Sequence, residues 1–315
     1  MSTVTNYTFL STDDQKTPIH AVKWLPDSDP VAVMQLTHGM REYIERYSEF
    51  AEFLADKGFA VFGHDHIGHG DSVSSPSQRG IMHSDAPDRT MVEDMFTQYA
   101  LIKEQYPNLP YFILGHSMGS YLLREFLFVK AAKLNGVSGA IIVGTGTENN
   151  AAIIAGNILC KLLMIFKGKD STSDFINSLM FGGDYKQFDT TGTDPSNSWL
   201  SKNSENVTRV YASKKCGYEF SLNGYMVLLR STLFDNKMSN IRRMNMNIPI
   251  FFASGDHDPV GQMGTGVVKA HEKFKEAGVC DLSIKLYEGD RHEILNELDR
   301  ATVYDDLYKW MKDRF

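Results

Sequence analysis

Ser117 stands at the centre of Gly115-His116-Ser117-Met118-Gly119, a G-x-S-x-G pattern. An apolar run, "YFIL", precedes it, and the amphipathic "SYLLREFLFVKAAKL" follows. A serine between a strand and a helix sits on a sharp turn that pushes its hydroxyl out from the sheet edge. Small residues at 115 and 119 let neighbouring backbones approach the turn. The start of the following helix supplies free N–H groups and positive dipole at the same point. A chance Gly/Ser turn is the alternative, and the strand-turn-helix context weighs against it.

A serine hydroxyl needs a base to become a nucleophile, and the base needs a carboxylate to orient it. In a fold with this kind of turn the chain order is serine, acid, histidine, each on a loop after a strand. His292 follows the apolar run "LSIKLYEG" and is expected to open the C-terminal helix. His271 falls inside an expected helix, with an exposed position expected. The acid lies in "FFASGDHDPVG", which offers both Asp256 and Asp258. Pro259 biases Asp258 toward an extended conformation. His257 is adjacent to both aspartates and could pair with one only if the backbone folded back sharply. Acyl transfer also needs N–H donors for the developing oxyanion. The residue after the nucleophile, Met118, supplies one, and Met40 in the loop after "VAVMQLT" supplies the other. The three histidines of "FGHDHIGHGDS" (62–72) suggest a metal tract on paper. No helical or hairpin register aims them at one point, so a tight loop with Asp65 holding turn amides is the expected reading.

The elements that must position these groups alternate. "YTFLST" and "PIHAVKWLP" read as two early strands, and "VAVMQLTHG" and "FAVFGHD" as strands buried on both faces. "RYSEFAEFLADKG" and "TMVEDMFTQYALIKEQYP" read as helices, the second with Glu93 and Asp94 in its first turn. The beat continues through "SGAIIVGTG" and returns with "IPIFFASG", "GTGVVKAHEKFKEAG" and the last strand. Strands alternating with helices predict an α/β, mostly parallel, doubly wound sheet with right-handed crossovers. The beat breaks between residues 147 and 222. That stretch is expected to be an inserted cap, with core at 1–146 and 223–315. Its apolar run "AAIIAGNILCKLLMIF" (151–166) is read as too short for a membrane span and interrupted by Lys161.

The 315-residue chain has 42% hydrophobic and 23% charged residues, an ordinary globular composition. A net charge of −7 argues against nucleic acid as a partner. Three scattered cysteines form neither a disulfide framework nor a zinc pattern, so a reducing, cytoplasmic setting is expected. The N-terminal residues lack the apolar core of a signal peptide.

The block "THGMREYIERYSEFAEFLADKGFAVFGHDHIGHGDS", the elbow "GHSMG" and the loop "GDHDPV" together resemble the α/β-hydrolase superfamily. Within it they resemble the monoacylglycerol lipase and lysophospholipase-like family, with its H-G-x-x-E…RY…D-x-x-G-H-G-x-S block. The segment beginning "WLSKNSENV" is similar to a bacterial branch, but Asn203 and Lys214-Lys215 replace that branch's Asp and Asp-Pro. The family's G-x-x-D spacing implies Asp258 rather than Asp256 as the acid. The resemblance implies an eight-stranded α/β-hydrolase core and an acyl-enzyme route to fatty-acyl esters. It implies no metal or cofactor. The cap's apolar run would face acyl chains or a membrane surface, or else form the cap's own core. Competing readings are a small-acyl carboxylesterase, an aminopeptidase using Glu148, Asp174 or Asp184 to hold an amine, and a catalytically silent binding protein of the same fold.

Overall fold

The computed structural model describes residues 2–315. Eight strands form one sheet: β1 (Thr3–Leu10), β2 (Pro18–Leu25), β3 (Ala32–Thr37), β4 (Phe59–His64), β5 (Tyr111–His116), β6 (Val137–Val143), β7 (Ile250–Gly255) and β8 (Leu282–Tyr287). Their spatial order is β1-β2-β4-β3-β5-β6-β7-β8. The β1–β2 and β2–β4 pairs are antiparallel, and every later pair is parallel. All six residues are buried in each of β3, β4, β5 and β7. This matches the unalternating apolar runs, because helices cover both faces. The pleat still sorts the side chains. Tyr111 and Ile113 of β5 enter one core layer, whereas Phe112 and Leu114 enter the other.

One face carries α1 (Ser48–Asp56) and α10 (Arg300–Lys312). The other carries α2 (Pro87–Gln105), α3 (Met118–Val129) and α9 (Thr265–Ala277). Between β6 and β7 the chain leaves the sheet. It forms α4 (Asn150–Lys167), α5 (Asp174–Met180), α6 (Ser204–Ala212), α7 (Leu222–Asp235) and α8 (Met238–Ile241) before returning. α7 packs on α3 and α2 below and on α4 above.

Three local expectations need correction. α2 starts at Pro87, one turn and more before Glu93, so Asp94 lies in its middle. There Asp94 is buried and accepts hydrogen bonds from Ser11 Oγ (2.6 Å) and Thr12 N (2.7 Å), anchoring the β1–β2 turn to α2. His292 does not open a helix; it lies in a loop eight residues before α10. The apolar run at 151–166 becomes an 18-residue helix, long and apolar enough by length and composition to cross a bilayer. It buries only Ile153, Asn157 and Cys160, against α7. Its other face leaves Ile154, Ile158, Leu162, Ile165 and Phe166 exposed, Ile165 by 74% and Phe166 by 83%. Phe175 and Leu179 of α5 are exposed as well.

The direction of winding reverses around β3, whose neighbours are β4 on one side and β5 on the other. In open α/β sheets the crevice at such a reversal collects ligands at the carboxyl ends of the strands. Met40 follows β3 and Ser117 follows β5, so both face that crevice.

Candidate active site

Ser117 is held at φ 54°, ψ −122° between β5 and α3. That conformation is costly for a residue with a side chain, and the surroundings enforce it. A Cβ on Gly115 would run into the Gly119 carbonyl, and one on Gly119 would run into the carbonyls of Thr37 and His38. The glycines thus let the elbow nest against the loop after β3. Ser117 N donates to Val143 O (2.9 Å), tying the elbow to the end of β6.

Asp258 is fully buried at the exit of β7, and His292 Nδ1 donates to its Oδ2 across 3.0 Å. Asp258 also accepts from Ser254 Oγ (3.2 Å) and from Val260 N (2.9 Å), so its carboxylate is fixed from three sides. Asp256 points elsewhere. Its Oδ1 accepts from Gly289 N (2.7 Å) and from His257 Nδ1 (2.6 Å), and His257 is largely exposed. His257 thus pairs with its neighbour Asp256 at the surface. His271 is half-covered, edge-on to Phe252, rather than fully exposed. Ser117 and His292 line the same cavity without a hydrogen bond between them. Such contacts commonly tighten only when substrate binds. Met118 is the first residue of α3, so its N–H has no acceptor within the helix. Met40 lies in the facing loop and lines the cavity together with Ser117.

A buried polar network supports these groups from behind, and sequence reading did not single it out. Glu42 Oε1 accepts from Gly39 N (2.5 Å), fixing the loop that carries Met40. Arg46 bridges Glu42 Oε2 and Glu293 Oε2, both at 2.6 Å, and Asn206 Nδ2 donates to Glu293 as well. His116 Nδ1 is hydrogen-bonded with Tyr47 Oη (2.9 Å) and lies 3.2 Å from Glu42 Oε1, and its Nε2 donates to His292 O (3.1 Å). Burial disfavours the imidazolium, but Glu42 outweighs it and raises the His116 pKa. Burial likewise opposes ionisation of Glu42, yet Arg46 and then His116 hold its carboxyl well below the usual range. The loops after β3 and β8 and the end of β5 are therefore joined by one polar network. Trp199 was missed too. Its ring lies 5.1 Å from that of His292, and its carbonyl accepts from His292 N. An invertible signal existed for part of this set: Glu42, Arg46 and Tyr47 all lie in the long block that carried the resemblance.

The histidine tract folds into a cluster of rings in tilted and edge-to-face contact. His38 lies 4.4 Å from His66, and His64 5.1 Å from His66, all buried. Burial pushes His64 down to about 4 and His69 to about 3, so both are neutral. Asp65 accepts from Ile44 N (2.7 Å) and Asp71 N (2.8 Å), which makes it a loop anchor. The ligand-type atoms that do converge belong to His20, Asp65 and Asp71, and Asp71 is already paired with Lys215.

Two cavities meet at Ser117. One, about 380 Å³, is mainly apolar and is lined by Tyr121, Ile153, Leu179, Leu228, Leu229 and Val260. The other, about 810 Å³, is polar and is lined by Arg41, Glu42, Asn177, Thr191, Tyr211 and His292. Met40, Phe181 and Trp199 border both.

The chain is 26% identical to the "Monoglyceride lipase" of Homo sapiens, over 92% of this chain and 86% of that protein. It is 25% identical to the "Monoacylglycerol lipase" of Mycolicibacterium smegmatis, over 91% and 90%. Among solved structures it matches a thermostable carboxyl esterase from Bacillus coagulans in complex with glycerol. That match has a TM-score of 0.88 and 27% identity, covering 99% of this chain and 98% of that one. The sheet order, the elbow and these likenesses agree on an α/β-hydrolase. The family model described as serine aminopeptidase, S33, matches residues 28–299, and the chain belongs to that family.

Proposed function

We propose that the protein is a serine hydrolase of carboxylic esters, acting on fatty-acyl monoesters of the monoacylglycerol type. The observation that carries the reading is the position of Ser117. It lies where an apolar cavity suited to an acyl chain meets a polar one suited to an alcohol, beside the Asp258–His292 pair. Ser117 Oγ attacks the ester carbonyl carbon while His292 Nε2 takes its proton. Asp258 stabilises the resulting imidazolium and holds its tautomer. The N–H groups of Met40 and Met118 receive the carbonyl oxygen as it becomes an oxyanion. His292 then returns its proton to the departing alkoxide. In the second half, water gives its proton to His292, attacks the acyl-enzyme and frees the fatty acid, and the proton returns to Ser117.

Residues 147–222 form the cap in this reading. The exposed apolar faces of α4 and α5 give it a surface for transient contact with a lipid aggregate. The three free cysteines accord with a reducing, cytoplasmic setting. A second reading, aminopeptidase, draws on Glu148 and Asp184, whose carboxylates line the apolar cavity and could hold an amine.

Ser117→Ala tests the mechanism. It abolishes hydrolysis of p-nitrophenyl esters, and a fluorophosphonate probe labels the wild type at Ser117 only. Unchanged hydrolysis in the variant refutes the mechanism. A series of monoacylglycerols and p-nitrophenyl esters of rising chain length, set beside aminoacyl p-nitroanilides, separates the two readings.

A further inference from the structure

The polar cavity carries one charge that the protein does not balance. Most of its ionic groups answer one another: Arg46 bridges Glu42 and Glu293, and His116 faces Glu42. The cations nearby are paired as well, Lys215 with Glu45 and Asp71, and Arg79 with Asp71. Arg41 is different. It is half-buried and lines the same cavity as Ser117 and His292. No carboxylate lies within ion-pair distance of its guanidinium, and its side chain makes no hydrogen bond among the described residues. Its backbone stands at φ 57°, immediately after Met40. A left-handed conformation is strained for a residue with a Cβ, a strain that glycine escapes. The chain therefore keeps a long cationic side chain at a position that favours glycine, on the wall of a cavity that opens onto the reacting serine. A guanidinium offers a planar fork of N–H donors matched to phosphate and carboxylate oxygens.

We infer that the polar cavity receives the alcohol part of the ester and that Arg41 binds an anion carried on it, a phosphomonoester or a carboxylate. The inference rests on the proposed role of Ser117 as nucleophile. Among the monoacylglycerol-type monoesters of that reading, it favours those whose glycerol part carries a negative charge. The neutral part of the same cavity, with Asn177, Thr191 and Tyr211, hydrogen-bonds the remaining hydroxyls.

The test uses short acyl chains, so that all substrates stay monomeric and no charged interface intervenes. The hexanoyl esters of glycerol 3-phosphate and of glycerate are compared with 1-hexanoylglycerol by kcat/KM. The wild type favours one or both anionic esters by about 10-fold or more, the span of a charge-assisted hydrogen bond. Which of the two leads tells phosphate from carboxylate. Arg41→Gly suits the left-handed backbone and so folds without strain. It lowers the anionic-to-neutral ratio by about 10- to 100-fold, mainly through KM. Arg41→Lys restores part of the ratio, and added salt erodes the wild-type preference. A wild-type preference for the neutral ester, or a ratio unmoved by Arg41→Gly, overturns the inference while the hydrolase reading stands. If none of the esters is cleaved and the fluorophosphonate leaves Ser117 unlabelled, the hydrolase reading falls and the inference with it.

Discussion

Replacing Asp258 with asparagine isolates one charge in an otherwise unchanged site. The asparagine is nearly isosteric, so Val260 N can still donate to its side-chain oxygen, as it now does to Asp258 Oδ1. The group facing His292 then becomes an NH₂, which must donate to Nδ1. This places the ring proton on Nε2, the nitrogen that has to accept from Ser117. The lost attraction can be estimated from the 3.0 Å separation of His292 Nδ1 and Asp258 Oδ2. With an effective dielectric of about 20, a carboxylate at that distance stabilises the imidazolium by about 5.5 kcal/mol. At about 1.4 kcal/mol per decade this is a loss of about 10⁴ in kcat. Initial rates on a p-nitrophenyl ester at pH 8 read it directly, with thermal unfolding of the same sample as a control for folding. The neighbouring substitution, Asp256→Asn, touches only Gly289 N and the exposed His257, and its cost stays within about tenfold. If Asp258→Asn retains activity within tenfold, or if Asp256→Asn is the damaging change, the assignment of the acid is wrong.

Glu125 is buried on α3 with one hydrogen bond from Ser231, and burial pushes its carboxyl from 4.5 up to about 7. Its folded pKa is raised, so its contribution is favourable below pH 4.5 and is lost as pH rises to about 7. Glu125→Gln therefore raises the unfolding free energy by up to about 3 kcal/mol at pH 8 and by little at pH 4, measured by urea titration; an equal gain at both pH values contradicts the burial argument. Gly119→Ala drives a Cβ into the Thr37 and His38 carbonyls, and a loss of about 3 kcal/mol or more is expected in the same titration. Unchanged stability would mean that the elbow is not packed as described. Ile165→Ser with Phe166→Ser removes two exposed apolar side chains worth about 1.5–3 kcal/mol each on transfer from water. Sedimentation with lipid vesicles then shows binding weakened by about 100-fold, with hydrolysis of soluble esters retained; vesicle binding equal to wild type excludes α4 as the contact.

The parts legible in the sequence were those written as local patterns. Unalternating apolar runs marked β3, β4, β5 and β7 because a strand covered on both faces has no polar side to show. The elbow was legible because G-x-S-x-G compresses a backbone requirement into five adjacent residues. His292 followed from chain order and loop position, the choice of Asp258 over Asp256 from the family's G-x-x-D spacing, and the structure sets the two 3.0 Å apart across 34 residues. The supporting network was not legible in this way. His116 is the variable position inside the elbow, Glu42 and Arg46 stood only as letters of the resembling block, and Glu293 carried no signal. Their roles exist only after three distant loops converge, and no periodicity records a meeting of residues 42, 116 and 293. The start of α2 was misplaced for a different reason. Pro87 at the first turn was available as a start signal, but the acidic pair Glu93–Asp94 mimicked one, although Asp94 serves the β1–β2 turn instead.

The loop of His292 is stitched to the segment that leaves the sheet between β6 and β7. His292 N donates to Trp199 O, Glu293 N to Leu200 O (2.7 Å), Ser201 Oγ to Glu297 (2.9 Å), and Asn203 Nδ2 to Asn296 O (3.1 Å). Residues 199–203 are thus held with the loop of His292, the proposed base. If the proposed cap opens, its hinge is expected before residue 198. For protein engineering this sets a seam: an exchange of the proposed cap with a relative's can replace residues up to about 197, whereas a cut that removes 199–206 also takes away the support of the His292 loop.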